Sequence, residues 1–150
     1  MSILLLCLTA CGGGGSSSSG ASNESTSNPL SGTFLGSQTL TITSTGSGIP
    51  VTDTSTTTFR LDVNSVGNTA TVVDQNFQAA GPITNGQFTV SANTSFVNGT
   101  LSCSGVISYT GSVAPGDTNG DVNETTTCVD TTLPGIGIAR IITGTFTGSK

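Results

Sequence analysis

The chain has 150 residues, only 7% of them charged, with no His, just three cations (Arg60, Arg140 and Lys150) and a net charge of −5. So few cations exclude a phosphate-tracking surface and therefore nucleic-acid binding, and the absence of His removes the commonest general base and zinc ligand. A modest net charge beside 33% hydrophobic residues argues against disorder throughout, and the length suits one domain.

The first element is an apolar run, Ile3 to Leu8, broken only by Cys7 and followed by Thr9-Ala10-Cys11. Leu8-Thr9-Ala10-Cys11 resembles the lipobox of bacterial lipoproteins, with an aliphatic residue three before and a small residue one before the cysteine. The resemblance implies that residues 1–10 are a signal peptide, that Cys11 carries the lipid, and that the chain is held on a bilayer. Cys7 fits the pattern poorly, because Leu6 stands where a small residue is needed. No Lys or Arg precedes the run, and its six residues fall short of the usual ~7–15; a start codon upstream of Met1 would explain both. In lipoproteins of Gram-negative bacteria an Asp after the cysteine retains the protein in the inner membrane; Gly12 at that position implies the outer membrane.

Gly12 to Gly20 is a Gly block and then a Ser block, and polar residues continue to Pro29. Such a stretch buries too little apolar surface to offset its ordering entropy, so residues 11–29 read as a flexible tether. About 18 residues of this kind reach roughly 25 Å. Lipidation contributes about 0.8 kcal/mol per buried CH₂, so several acyl chains hold the protein without a transmembrane helix.

Residues 30–150 read as a single all-β domain, because period-two segments alternate with turn residues and Thr, β-branched, is abundant. The first strand is predicted near Gly32 to Ser44, with Phe34, Leu40 and Ile42 on one face, and the second near Thr56 to Val63, with Phe59, Leu61 and Val63 alternating. A third runs from Thr69 to Gln75 and on to Phe77, and a turn is expected at Gly81 to Gly86. Gln87 to Ala92 follows, then Ser95 to Val97. Asn98-Gly99 predicts a type I′ hairpin leading into Thr100 to Val113. A polar loop separates this from Thr125 to Asp130, and Ile136 to Thr147 closes the set.

About eight sequential strands with short turns fit an antiparallel up-and-down β-barrel, which leaves no open edge; a two-sheet β-sandwich is the alternative. The segments Leu30 to Gly36 (LSGTFLG) and Ile142 to Gly148 (ITGTFTG) look alike, as if first and last strands pair. Gly32-Thr33-Phe34 is similar to the Gly-x-Trp opening of lipocalin and streptavidin-like barrels, with Phe for Trp, which implies a ligand-holding barrel.

Cys103 and Cys128 remain as an even pair and, in an oxidising compartment, are expected to form a disulfide between the two strands that hold them. Asp117, Asn119, Asp121 and Asn123 resemble the start of an EF-hand or dockerin calcium loop, which implies a partial, weak Ca²⁺ site, although Val122 stands at the glycine position and Cys128 at the bidentate Glu position. The same residues also suit an ordinary hairpin loop. Arg140 shares an alternation face with Ile138 and Ile142, which places it inward as a ligand contact or ion-pair partner, whereas Arg60 shares one with Thr58 and Asp62. No Ser-x-x-Lys, Gly-x-Ser-x-Gly or phosphate loop is present, so no catalytic residue and no cofactor are expected. The leading expectation is a non-enzymatic, lipid-tethered envelope protein with a structural or interaction role. A lipocalin-like carrier of a small ligand is the alternative, and a carboxylate hydrolase of envelope glycans comes third. Side chains filling the barrel favour the first, and a cavity of a few hundred Å³ favours the second.

Overall fold

Alternation of β-branched and apolar residues from Gly32 onward leaves the chain one economical arrangement, a pleated sheet with a single apolar face. The computed structural model describes residues 28–150 apart from 47–48, 75–76, 134 and 136. The signal segment, Cys7, Cys11 and nearly all of the tether lie outside the described residues. Eight antiparallel strands follow in order: β1 Gly32–Gly46, β2 Ile49–Val63, β3 Thr69–Asp74, β4 Phe77–Thr84, β5 Gln87–Asn98, β6 Leu101–Ala114, β7 Asp117–Asp130 and β8 Gly137–Ser149. Each pairs with its sequence neighbour, and β8 pairs with β1, so the sheet is a closed up-and-down barrel and not a sandwich. Leu40 opposite Gly144 and Gln38 opposite Phe146 place the two Gly-Thr-Phe strands side by side, as their likeness predicted. Among the described residues no helix is long and apolar enough to cross a membrane.

The eight strands differ in detail from those expected. Phe77–Thr84 is a full strand where a turn from Gly81 was expected, and Gln87–Asn98 is one strand where two were expected. The polar stretch before Thr125 belongs to β7, which begins at Asp117. The turn at the β5–β6 hairpin is Gly99-Thr100, flanked by the pair Asn98 and Leu101; the positive φ of 61° falls on Gly99, the first central residue, which is the type II′ pattern. The type I′ pattern, with both central residues at positive φ, occurs instead at Asn85-Gly86 between β4 and β5 (φ 52° and 74°).

Apolar side chains fill one end of the barrel. Phe34, Phe59, Leu61, Val72, Phe88, Tyr109 and Phe146 are all buried in one cluster, with Phe59 stacked on Phe146 at 4.4 Å between ring centroids. Successive turns at this end are sewn together by backbone bonds: Ile83 donates to the Asn68 carbonyl (2.8 Å), Val113 to Gly86 (2.7 Å) and Lys150 to Gly116 (3.1 Å). The Lys150 ammonium donates to the carbonyls of Pro29 (2.7 Å) and Ser31 (2.8 Å) and lies 5.3 Å over the Phe34 ring. The C-terminus thereby clasps the segment that leads into β1.

Arg60 and Asp62 lie on the outer wall, two apart on β2. Arg60 Nε donates to Asp62 Oδ2 at 2.9 Å, and these hydrogen bonds hold the Asp62 carboxyl below the usual carboxylate range. With both groups substantially exposed, the pair contributes little to stability.

Candidate functional site: a half-filled barrel

The end of the barrel away from Lys150 is not packed. Alternation along β1, β2, β6, β7 and β8 turns Leu40, Ile42, Thr57, Ile107, Tyr109, Val122, Glu124, Arg140 and Ile142 inward, and between them lies a cavity of about 850 Å³. Only six and eight residues form β3 and β4, against 12–15 in the others, so the wall is low on that side. The strands β4 and β5 are paired only at Ile83 with Phe88 and Thr84 with Gln87, near the closed end. Asp74, Phe77 and the Ala92–Phe96 end of β5 line this lower side.

The floor carries a polar network set among aromatic rings. Gln38 is 1% exposed and Tyr109 0%, so both must satisfy their polar atoms within the protein. The Gln38 amide nitrogen donates to Thr57 Oγ1 (3.0 Å) and to Asp74 Oδ2 (2.7 Å). The Tyr109 hydroxyl points at the same Asp74 oxygen (2.9 Å) and at Gln38 Oε1 (3.2 Å). Burial, followed by the charge of Asp74, pushes the Tyr109 phenol well above its ordinary value, so it stays a neutral donor. Phe59 and Phe77 flank the tyrosine ring at 6.0 and 5.5 Å. On the opposite wall Glu124 Oε1 accepts the Thr126 hydroxyl at 2.6 Å.

Tyr109→Phe keeps the ring and removes a hydroxyl that donates to Asp74. The expected loss is about 1–3 kcal/mol, because a half-buried carboxylate and the buried Gln38 amide oxygen each lose a donor. Urea unfolding measures it, and a loss below about 0.5 kcal/mol would show the hydroxyl to be dispensable.

Cys103 and Cys128 sit directly opposite each other on β6 and β7 and form the expected disulfide. Arg140 faces inward beside Ile142, as its alternation indicated, and lines the cavity. Its ion-pair role is not realised among the described residues, where the ion pair is Arg60 with Asp62. The calcium expectation meets a geometric correction. Asp117, Asn119, Asp121 and Asn123 alternate along one exposed face of an extended strand, which spaces them roughly 6–7 Å apart in a line instead of wrapping them around a point. Among the described residues no group of three or more His, Cys, Asp or Glu converges on a metal position.

Gln38 and Tyr109 were not singled out in the sequence, although the alternation around Gln38 was there to be read. Gln38 falls between Phe34 and Leu40 on the inward face of β1, and Asp74 follows Ala70 and Val72 in the same alternation. Glu124 becomes visible only once residues 117–124 are recognised as strand.

Neither a family model nor a curated protein matches the chain. Among solved structures it is similar to the crystal structure of the ywiB protein from Bacillus subtilis, at 10% identity, with 79% of this chain and 94% of that one covered and a TM-score of 0.36. Likeness at this level carries neither activity nor ligand across.

Proposed function

We propose that this chain is a lipid-anchored protein of the bacterial envelope, held through Cys11, whose barrel is a non-enzymatic cup for one small ligand. The observation that supports the cup over a purely structural role is the cavity itself. Its volume of about 850 Å³ lies within the range of small-molecule sites, and its lining mixes apolar side chains such as Leu40, Ile107 and Ile142 with polar ones such as Thr57, Gln78 and Glu124. The anchor rests on the Leu8-Thr9-Ala10-Cys11 pattern and the Gly/Ser stretch after it.

Two measurements test the two halves. Intact mass of membrane-extracted protein should show a chain beginning at Cys11 with added acyl mass, and Cys11→Ala should move the protein out of the membrane fraction. A native chain that keeps residues 1–10 and carries no acyl mass sinks the anchor. For the cup, thermal melts of the full chain against fractions of a metabolite extract should reveal a stabilising fraction, as any ligand selective for the folded state does. Ile107→Trp, which narrows the cavity, should weaken that stabilisation; unchanged stabilisation would place the ligand elsewhere.

One observation favours a second reading. Asp74 and Glu124 line the same cavity, and a carboxylate pair is the equipment of glycoside hydrolysis. Turnover of chromogenic glycosides, lost in both Asp74→Asn and Glu124→Gln, would establish that reading in place of the cup.

A further inference from the structure

The charges inside the cup are unevenly matched. Asp74 on β3 and Glu124 on β7 face the cavity, against the single guanidinium of Arg140 on β8. Glu124 is 9% exposed, and the Thr126 hydroxyl on Oε1 is its one hydrogen-bond donor among the described residues. Arg140 is paired across the ladder with Thr126, and Glu124 with Ile142, so the guanidinium stands a diagonal step away and makes no ion pair with the carboxylate. The carboxylate therefore faces the cavity without a cation paired to it among the described residues. The Tyr109 phenol reports the same field, since the charges of both Asp74 and Glu124 push it upward.

We propose that the cup selects an organic monocation, an amine- or ammonium-headed molecule with an apolar body, whose charged head is held by Glu124. This deepens the ligand-cup reading and rests on it. The apolar body lies against Leu40, Ile107 and Ile142. Anions are disfavoured, because the Glu124 carboxylate faces the cavity and repels a second negative charge placed beside it.

The test uses three probes that share an octyl chain and differ in the head, octylammonium, octanol and octanoate, titrated calorimetrically into the full-length protein at neutral pH. Octylammonium should bind about tenfold or more tighter than octanol, with octanoate weakest. Glu124→Gln should bring octylammonium down to the octanol value and leave octanol unchanged. Equal binding of all three, or a preference for octanoate, overturns the charge selection while leaving the ligand cup standing. Octanol and octylammonium both failing to bind overturns the cup reading along with it. The comparison of heads on the native protein decides the matter even where Glu124→Gln fails to fold.

Discussion

Gly120→Val is expected to destabilise the barrel by more than about 3 kcal/mol, enough to leave a marginally stable domain largely unfolded. Gly120, inward on β7, pairs with Gly111 on β6 and with Phe146 on β8, so an aromatic ring lies over two adjacent glycines. A Cβ at position 120 would lie 2.6 Å from both Gly111 Cα and Phe146 Cζ and would run into the Thr110 carbonyl. The ring cannot retreat, because Phe59 stacks on it at 4.4 Å and Phe88 and Tyr109 close the other sides at 6.1 and 6.0 Å. Far-UV circular dichroism during urea unfolding reads the effect. Gly99→Ala is the comparison: nothing lies within 4 Å of its added Cβ, so only the positive φ is penalised, at about 1 kcal/mol. Equal losses in the two variants would show that the close approach at Gly120 is unimportant.

Reduction of the disulfide, or Cys103→Ser with Cys128→Ser, should lower stability by about 3.5 kcal/mol, the chain-entropy value for a loop with a sequence separation of 25. The bond lies toward the open end, beyond the apolar cluster, and joins the start of β6 to the end of β7. Packing holds the closed end, so the disulfide acts where packing is thinnest. For a domain near 120 residues the expected change in Tm is roughly 10–25 °C. Thermal melts with and without dithiothreitol measure it, and a shift below about 5 °C would mean that the ladder alone holds this part of the wall. The bond persists in an oxidising compartment and is lost in a reducing one.

Closure of the barrel was legible because Phe34 and Phe146 sit in matching Gly-Thr-Phe segments at the two ends of the domain, and those strands do pair. The number of strands agreed through two compensating differences, one strand unrecognised and one divided. Phe77–Thr84 escaped notice because Gly81 and Pro82 are usual strand breakers. In the barrel Ile83 donates toward β3, which turns the proline nitrogen toward β5, and the ladder to β5 begins only at Ile83. The missing N–H therefore forfeits no ladder bond. β7 read as a loop because its inward residues from 118 to 124 are Thr118, Gly120, Val122 and Glu124, with one apolar member among four. The volume that a larger side chain would occupy at Gly120 belongs to Phe146, two strands' worth of sequence away in tertiary context and invisible to local alternation. The polar floor was hidden for a related reason, since a face labelled by Phe34, Leu40 and Ile42 conceals the Gln38 among them.

The clasp of Lys150 on Pro29 and Ser31 also decides which way the molecule looks. It fixes the leading segment to the packed end, so the chain enters the barrel at the pole opposite its opening. The mouth therefore points away from the segment that precedes β1, and a molecule entering the barrel meets no part of that segment on its way in.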